Sequence, residues 1–525
     1  MNFNILDIEP DQITIELDNG DCYSPKEPVS LLLNGEKLGE YDINVITIDG
    51  LCPESGYELT VIENNTVKCS KTFTTARESY RLDVRKFGAK GDGISNDTQY
   101  IQAAILACPK EGTVHLKKGI YRSGPLFLKS DIRIRIDEGA VLLGDTDRND
   151  YPVLPGMIAS TDEKAEYNLG TWEGNPLDTY ASLITGIGVR NVSIYGKGTV
   201  DGNASNADWW KDAKIRRGAW RPKLIYLNGC KDITLEGLKV CNSPCWTIHP
   251  YYSEDISLLK LTIRNPDDSP NTDGIDPESC KNVNIIGTDI SVGDDCIAIK
   301  SGKYYMALRH YKTTEHVVVR NCRLNHGHGS VTIGSECAGG VKEVHVTGCI
   351  FDSTDRGLRI KSRRGRGKRS ILEDIVFENI VMKDVRMPFT INMFYFCDPD
   401  GHSEYCQCKE ALPVDDMTPR IKSITARNIK CDGVDASLLT AYGLPEQKIE
   451  FICLENIDAV YRPERERVPA VPVMMDGMEP VSGKGIMVRN VGLLRLNNIK
   501  THGSADKDVD ADAVDNMECN NVSIG

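Results

Sequence analysis

The chain has 525 residues, 40% of them apolar and 26% charged, with a formal net charge of −14. That balance describes a soluble globular protein, and the negative sign argues against a general nucleic-acid binder. No run of about 18 apolar residues occurs, so neither a membrane span nor a membrane partner is expected.

The opening stretch, MNFNILDIEPDQ, has no basic segment followed by an apolar one, so no secretory signal is expected. Eighteen cysteines are scattered through the chain, and Cys280, Cys296, Cys322 and Cys349 fall in strand-like contexts. They read as reduced, buried side chains, which predicts a cytoplasmic protein, or a secreted one had a leader been removed. One local group, Cys397, His402, Cys406 and Cys408, has potential zinc ligands, but its spacing matches no zinc motif and reads as coincidence.

Residues 1–77 read as a separate unit of short strands. Ile13–Leu17 alternates apolar and polar residues, and Asn34-Gly35 is a hairpin turn signal. A small β-sandwich is predicted, and the pattern Leu51, Pro53, Tyr57, Val61 resembles a corner of fibronectin type III domains. Residues 78–525 form the second unit. Asp97 is placed to cap a helix that carries Ile101 and Ile105 on one face, followed by short Gly-punctuated strands that suit the closed end of a stack.

From about residue 191 the chain repeats itself. A polar residue precedes a short β-branched strand again and again, with leading residues Val192, Ile233, Ile256, Val283, Val317, Val344, Ile375, Ile424 and Ile449. Between Ile233 and Ile375 the steps are 23, 27, 34, 27 and 31 residues. Strands at such a period, with loops of varying length between them, predict an all-β architecture: a parallel β-helix whose coils stack about 4.8 Å apart.

Four segments superpose on their serines Ser279, Ser301, Ser335 and Ser362: NTDGIDPES, GDDCIAIKS, GHGSVTIGS and DRGLRIKS. In this register Asp273 lies over Asp295, His328 in the column of Asp294, and Lys361 in that of Lys300. Arg359 and Lys361 share a face, being two residues apart. Three carboxylates, a histidine and two cations thus gather on adjacent rungs. Singly, each is an ordinary solvated turn or loop residue; together they form a site. Paired carboxylates supply an acid and a base for glycosidic cleavage, and mutual repulsion keeps one of them protonated. The neighbouring cations suit a substrate that carries carboxylates of its own.

The ordered set Asn271-Thr272-Asp273, Gly293-Asp294-Asp295, Gly327-His328-Gly329 and Arg359-Ile360-Lys361 resembles the polygalacturonases of glycoside hydrolase family 28. The resemblance implies a right-handed β-helix and an inverting hydrolysis of α-1,4-galacturonosidic bonds without metal or cofactor. It implies Asp294 as general acid, Asp273 and Asp295 holding the attacking water, and His328 organising them. Arg359 and Lys361 would then bind a galacturonate carboxylate. Asn271, Lys300 and His249 are further candidates for substrate contact, and Trp209 and Trp210 read as packing a corner. The extra front domain resembles bacterial exo-acting members, with inserts at 303–314, 363–369 and 393–422 closing a pocket around oligo- or polygalacturonate. An inverting site predicts acid and base about 6.5–9.5 Å apart. The rivals are rhamnogalacturonan or xylogalacturonan hydrolysis on the same fold, a calcium-dependent pectate lyase, and a non-catalytic carbohydrate-binding β-helix. Nothing in the sequence sets an oligomeric state.

Overall fold

A computed structural model of the chain describes residues 1–159 and 166–525. Its N-terminal part is a β-sandwich. One sheet pairs Asn2–Ile8, Gln12–Asp18 and Val45–Asp49; the other pairs Glu36–Tyr41, Val29–Leu33, Gly56–Glu63 and Thr66–Thr74, all antiparallel. Ile13, Ile15 and Leu17 alternate into the core with Phe3, Leu31, Leu59 and Val61. The polar residues between them, Thr14 and Glu16, are buried too. Their face does not meet solvent; it packs on the rest of the chain, where Glu16 accepts a 2.8 Å bond from Arg320 and Thr14 bonds Glu236. Arg135 adds bonds to Asp11 at 2.6 Å and Asp49 at 2.8 Å. The Tyr57 hydroxyl accepts a 2.9 Å bond from the Cys52 N–H, which ties the corner where the sequence pattern lay.

From Arg81 onward the strands pair in parallel and wind into a right-handed β-helix, apart from two short antiparallel pairs, Val153–Leu154 with Thr179–Tyr180 and Ile158–Ala159 with Glu166–Tyr167. The helix that opens it spans Thr98–Ala107 and buries Ile101, Ala104 and Ile105. Asp97 stands at its N-cap position, but its carboxylate accepts from the Lys90 and Gly91 amides rather than from the helix. The cap expectation fails because the preceding loop supplies nearer N–H groups.

The leading residues stack in one column: Val192 on Ile233, Ile256, Val283, Val317, Val344, Ile375 and Ile424. The column runs back further than the repeat reading placed it, through Ile132 to Gly112. It also continues through Ile452, not Ile449, which pairs instead with Val491. The mostly apolar stretch IEFICL offers Ile449 and Ile452 as alternative leading residues until a neighbour fixes the register. The polar residues before these strands, such as Asn191, Asp232, Asp255 and Asn282, adopt left-handed backbone with φ of 52 to 56°. Asn and Asp tolerate that conformation best among residues bearing a side chain. At the next corner Asn379, Asn428, Asn456, Asn498 and Asn521 form a ladder, each side-chain amide donating to the one before at 2.9–3.3 Å.

Inside, Ile194, Leu235, Leu258, Ile285, Val319, Val346 and Phe377 are all fully buried. Each such side chain contributes roughly 1.5–3 kcal/mol of hydrophobic stabilisation. This axial core holds the rungs in register, and so fixes the spacing of whatever projects from the outside.

Candidate active site

One column of strands carries the motifs. Ile248–Tyr251 is followed by single bridges at Ile275 and Glu278, then by Asp295–Ile299, Gly329–Ile333, Arg356–Lys361 and Met387–Asn392. Ile275 pairs with Ile297, Ile297 with Val331, and Val331 with Leu358. The serine register is therefore the register of the coils. Asp294 lies in the bend before the strand and Asp295 is its first residue, so both carboxylates reach the same side.

Close approach explains the glycines around His328. Gly327 has φ +80°, and a Cβ there would lie 2.3 Å from the Asp294 carbonyl oxygen. A Cβ on Gly329 would lie 2.5 Å from Thr332 Oγ1 and 2.8 Å from Asp295 Oδ1.

One oxygen from each of Asp273, Asp294 and Asp295 lies within 4.8 Å of the others. That is closer than the separation of about 6.5–9.5 Å expected of an inverting pair. The cause is the architecture: Asp273 and Asp295 sit one rung apart, about 4.8 Å, and Asp294 adjoins Asp295 in sequence. The three are unequal in access. The Asp294 side chain is 23% exposed, against 5% for Asp273 and 1% for Asp295. His328 places Nδ1 3.5 Å from Asp294 Oδ1, and its backbone N–H donates to the Asp294 carbonyl at 3.0 Å.

The electrostatics separate these groups. Burial disfavours the Asp295 anion, but Lys361 and Arg359 outweigh it and hold the carboxyl well below its usual range. Lys361 Nζ is 2.8 Å from Oδ2 and Arg359 Nη1 is 2.9 Å from Oδ1. Burial pushes the Asp273 carboxyl well up, reinforced by Asp276 and Asp294. The bond to Asp294 raises His328 above 6.5 against the opposing effect of burial.

Beneath the cluster lies Lys300, 3% exposed, with Nζ 3.2 Å from Glu336, 3.5 Å from Asp276 and 3.7 Å from Asp273, and 4.3 Å from the Trp246 ring. Burial lifts Asp276 to about 8, and neither of its oxygens has a hydrogen-bond partner among the described residues.

The remaining candidates divide. Asn271 lines the cavity and accepts from Arg221 Nη2 at 2.7 Å. His249 does not reach it: it is fully buried among Tyr226, Trp246 and Tyr251, with Nε2 3.0 Å from Glu278. Its strand residue points under the cleft floor rather than into it, so it is withdrawn as a substrate contact. Lys300 also lines the cavity, at its floor, where three carboxylates surround it. Arg359 and Lys361 line the cavity, but their first partner is Asp295. Trp209 packs edge-on against Tyr151 and Tyr180 under Arg148, and Trp210 donates to the Ser243 carbonyl. Of the cysteine–histidine group, His402 bonds Asp476 at 2.7 Å and stacks on Phe396, Cys406 accepts from Arg363, and Cys397 faces Met474. Each has a different neighbour.

The cavity holds ≈ 630 Å³. Its far wall is built from the inserts. Lys303, Arg363 and Arg366 converge on Asp398, at 2.8, 3.1 and 2.5 Å, and Tyr395, Cys397 and Met474 stand beside it. Sequence reading missed Arg356, Glu336, Tyr395 and Met474 among the lining residues. Only Arg356 left a signal, since it continues the column of Asp295 and Gly329. Met474 arrives from a segment more than a hundred residues after Arg359.

With that geometry in view, comparison with known proteins decides the family. The model of glycosyl hydrolases family 28 matches residues 134–447. The chain belongs to glycosyl hydrolase family 28. This family 28 hydrolase is 29% identical over 402 residues to a probable polygalacturonase of Vitis vinifera, covering 75% of this chain and 77% of that one. It is 32% identical over 314 residues to an endo-polygalacturonase of Pectobacterium carotovorum subsp. carotovorum, covering 57% and 73%. In fold it is similar to the family 28 exopolygalacturonase of Yersinia enterocolitica, with TM-score 0.74 and 19% identity over 100% of this chain and 99% of that one. That likeness of fold runs through the N-terminal sandwich as well as the β-helix.

Proposed function

We propose that this family 28 hydrolase cleaves α-1,4-galacturonosidic bonds of polygalacturonate or oligogalacturonides, acting from a chain end. The carrying observation is the cluster of three carboxylates with Arg359 and Lys361 set against them. Asp294 is the accessible carboxyl and protonates the leaving oxygen, with His328 oriented on it. Asp295, kept ionised by its two cations, and Asp273 hold the water. The names of the curated relatives support galacturonan as substrate. The wall knitted around Asp398 supports a blocked cleft, and hence exo action.

Cation-dependent elimination is the rival with a point in its favour, because three carboxylates together can hold a cation. Both oxygens of Asp295 are, however, already engaged by cationic side chains. The eighteen cysteines are all free thiols, which supports a reducing compartment such as the cytoplasm. The test is digestion of polygalacturonate with products resolved over time, with and without chelator. Galacturonate monomer from the first minutes, unaffected by chelator and without ultraviolet absorbance, is expected. A ladder of oligomers overturns exo action, and an unsaturated, chelator-sensitive product overturns hydrolysis. Cleavage of rhamnogalacturonan alone overturns the substrate.

A further inference from the structure

Arg359 and Lys361 share one carboxylate, that of Asp295. A third cation on the same wall is held differently. Arg356 is the first residue of its strand, as Asp295 is of its own. Carrying the pairing of Val331 with Leu358 back two residues puts Arg356 over Gly329, which pairs with Asp295. Arg356 therefore stands in the column of Asp295, two rungs or about 10 Å along the axis.

Its guanidinium is fixed from behind. Nε donates to the Pro472 carbonyl at 3.1 Å and Nη2 to the Val471 carbonyl at 2.9 Å. Two neutral carbonyls orient the fork without cancelling its charge. Nη1 makes no hydrogen bond among the described residues. Its nearest carboxylate oxygen, on Asp355, is 4.0 Å away, and Asp355 also faces Arg386 at 3.5 Å. Arg356 lines the cavity while only 9% exposed. Burial and the neighbouring Arg359 depress it to about 10, as befits a cation lacking a close partner of its own. A desolvated, pre-oriented guanidinium with one free N–H edge is what a carboxylate binds most strongly.

We propose that Arg356 is a specificity-determining residue that receives the carboxylate of a uronate unit beside the cleavage point, through its Nη1 edge. The inference rests on the functional reading above. Arg359 and Lys361 are divided between Asp295 and substrate, whereas Arg356 has no catalytic group to serve, so discrimination between acidic and neutral sugars falls chiefly to it.

The experiment is competitive inhibition of polygalacturonate hydrolysis by galacturonate and by galactose, its neutral counterpart, in wild type and in Arg356→Met. Wild type favours galacturonate. In Arg356→Met that preference falls by roughly 10–100-fold, as for loss of a hydrogen bond between charged groups, and KM for polygalacturonate rises far more than kcat falls. Arg356→Lys, which keeps the charge, restores part of the preference. An unchanged preference in folded Arg356→Met overturns the proposal, as does a fall in kcat with KM unmoved, the mark of a merely structural tie to residues 471–472. A galacturonate soak of wild-type crystals asks the same question without a variant: the carboxylate on Arg356 supports it, and the carboxylate elsewhere overturns it. A wild type inactive on polygalacturonate defeats the functional reading instead.

Discussion

Lys361 sets its Nζ 2.8 Å from Oδ2 of Asp295, two coils back along the β-helix, with both side chains at most 10% exposed. The pair joins a residue implied to bind substrate to one implied to activate water, and Arg359 closes the other oxygen. The cations thus act on the base before any substrate arrives. Lys361→Met removes one of them, so the Asp295 carboxyl rises and accepts a proton at higher pH. The acid limb of the pH–rate profile is expected to move upward, with kcat at the optimum lower by about 10–100-fold. The linked stability has the same sign: a depressed carboxyl stabilises the fold above its unfolded value, and that contribution is lost as pH falls through the folded one. An acid limb that stays in place in the variant would show that Lys361 acts on substrate alone.

Asp294→Asn removes the proton donor and leaves the shape. Turnover is expected to drop by about 10²–10⁴-fold, with oligogalacturonate affinity by calorimetry retained. Loss of affinity in parallel with turnover would place Asp294 in binding instead, and full activity would mean that another group donates the proton.

His328 is held above its ordinary value of 6.5 by Asp294. A group raised in this way favours the folded state below its unfolded value, and the benefit disappears as pH rises through the folded value. Activity is expected to fall over the same interval, and His328→Gln to change that alkaline limb. A proton NMR titration of the imidazole checks the premise directly. A midpoint below 6.5 means that the pairing with Asp294 does not form in solution.

Among the described residues, Lys300 is the one cation in contact with Asp273, Asp276 and Glu336 together. Lys300→Met leaves buried carboxylates without it, which costs about 3–5 kcal/mol. The melting temperature is expected to drop most at neutral pH and to recover partly in acid, where the carboxyls take up protons. A deficit that is flat with pH would mean the loss is packing rather than charge.

The short distances in the carboxylate cluster make the anomer of the first product informative. Inversion of an α-linkage releases the β-anomer, and proton NMR in the first minutes of reaction is expected to show it. The α-anomer appearing first would mean retention, the outcome ordinarily linked to carboxyls about 5–5.5 Å apart.

How much of this was written in the sequence differs residue by residue. The patch holding Asp273, Asp295, Arg359 and Lys361 could be read because parallel strands stack at fixed spacing and alternate with period two. Four serines were then enough to set the register of four coils. The same rule failed at Ile449, where apolar residues at both 449 and 452 left three-residue slips indistinguishable until Val491 and the next coil paired with it. It failed for Asp97 because a loop amide competed for the carboxylate, and local spacing does not register such competition. His249 was found as a residue but misplaced in depth, since sequence periodicity gives the face of a strand and not what covers it.

By itself, then, the amino-acid order determined the coil, its register and the identity of the groups on the cleavage rungs, because all three follow from short-range periodicity repeated along one axis. Only the folded chain decided the charge state and partners of those groups. Asp295 is an anion because cations two rungs away reach it, and Arg356 is an oriented cation because Val471 and Pro472 return to hold it. Such pairings join residues up to a hundred or more positions apart, across loops of irregular length, and no local pattern encodes where those loops come back.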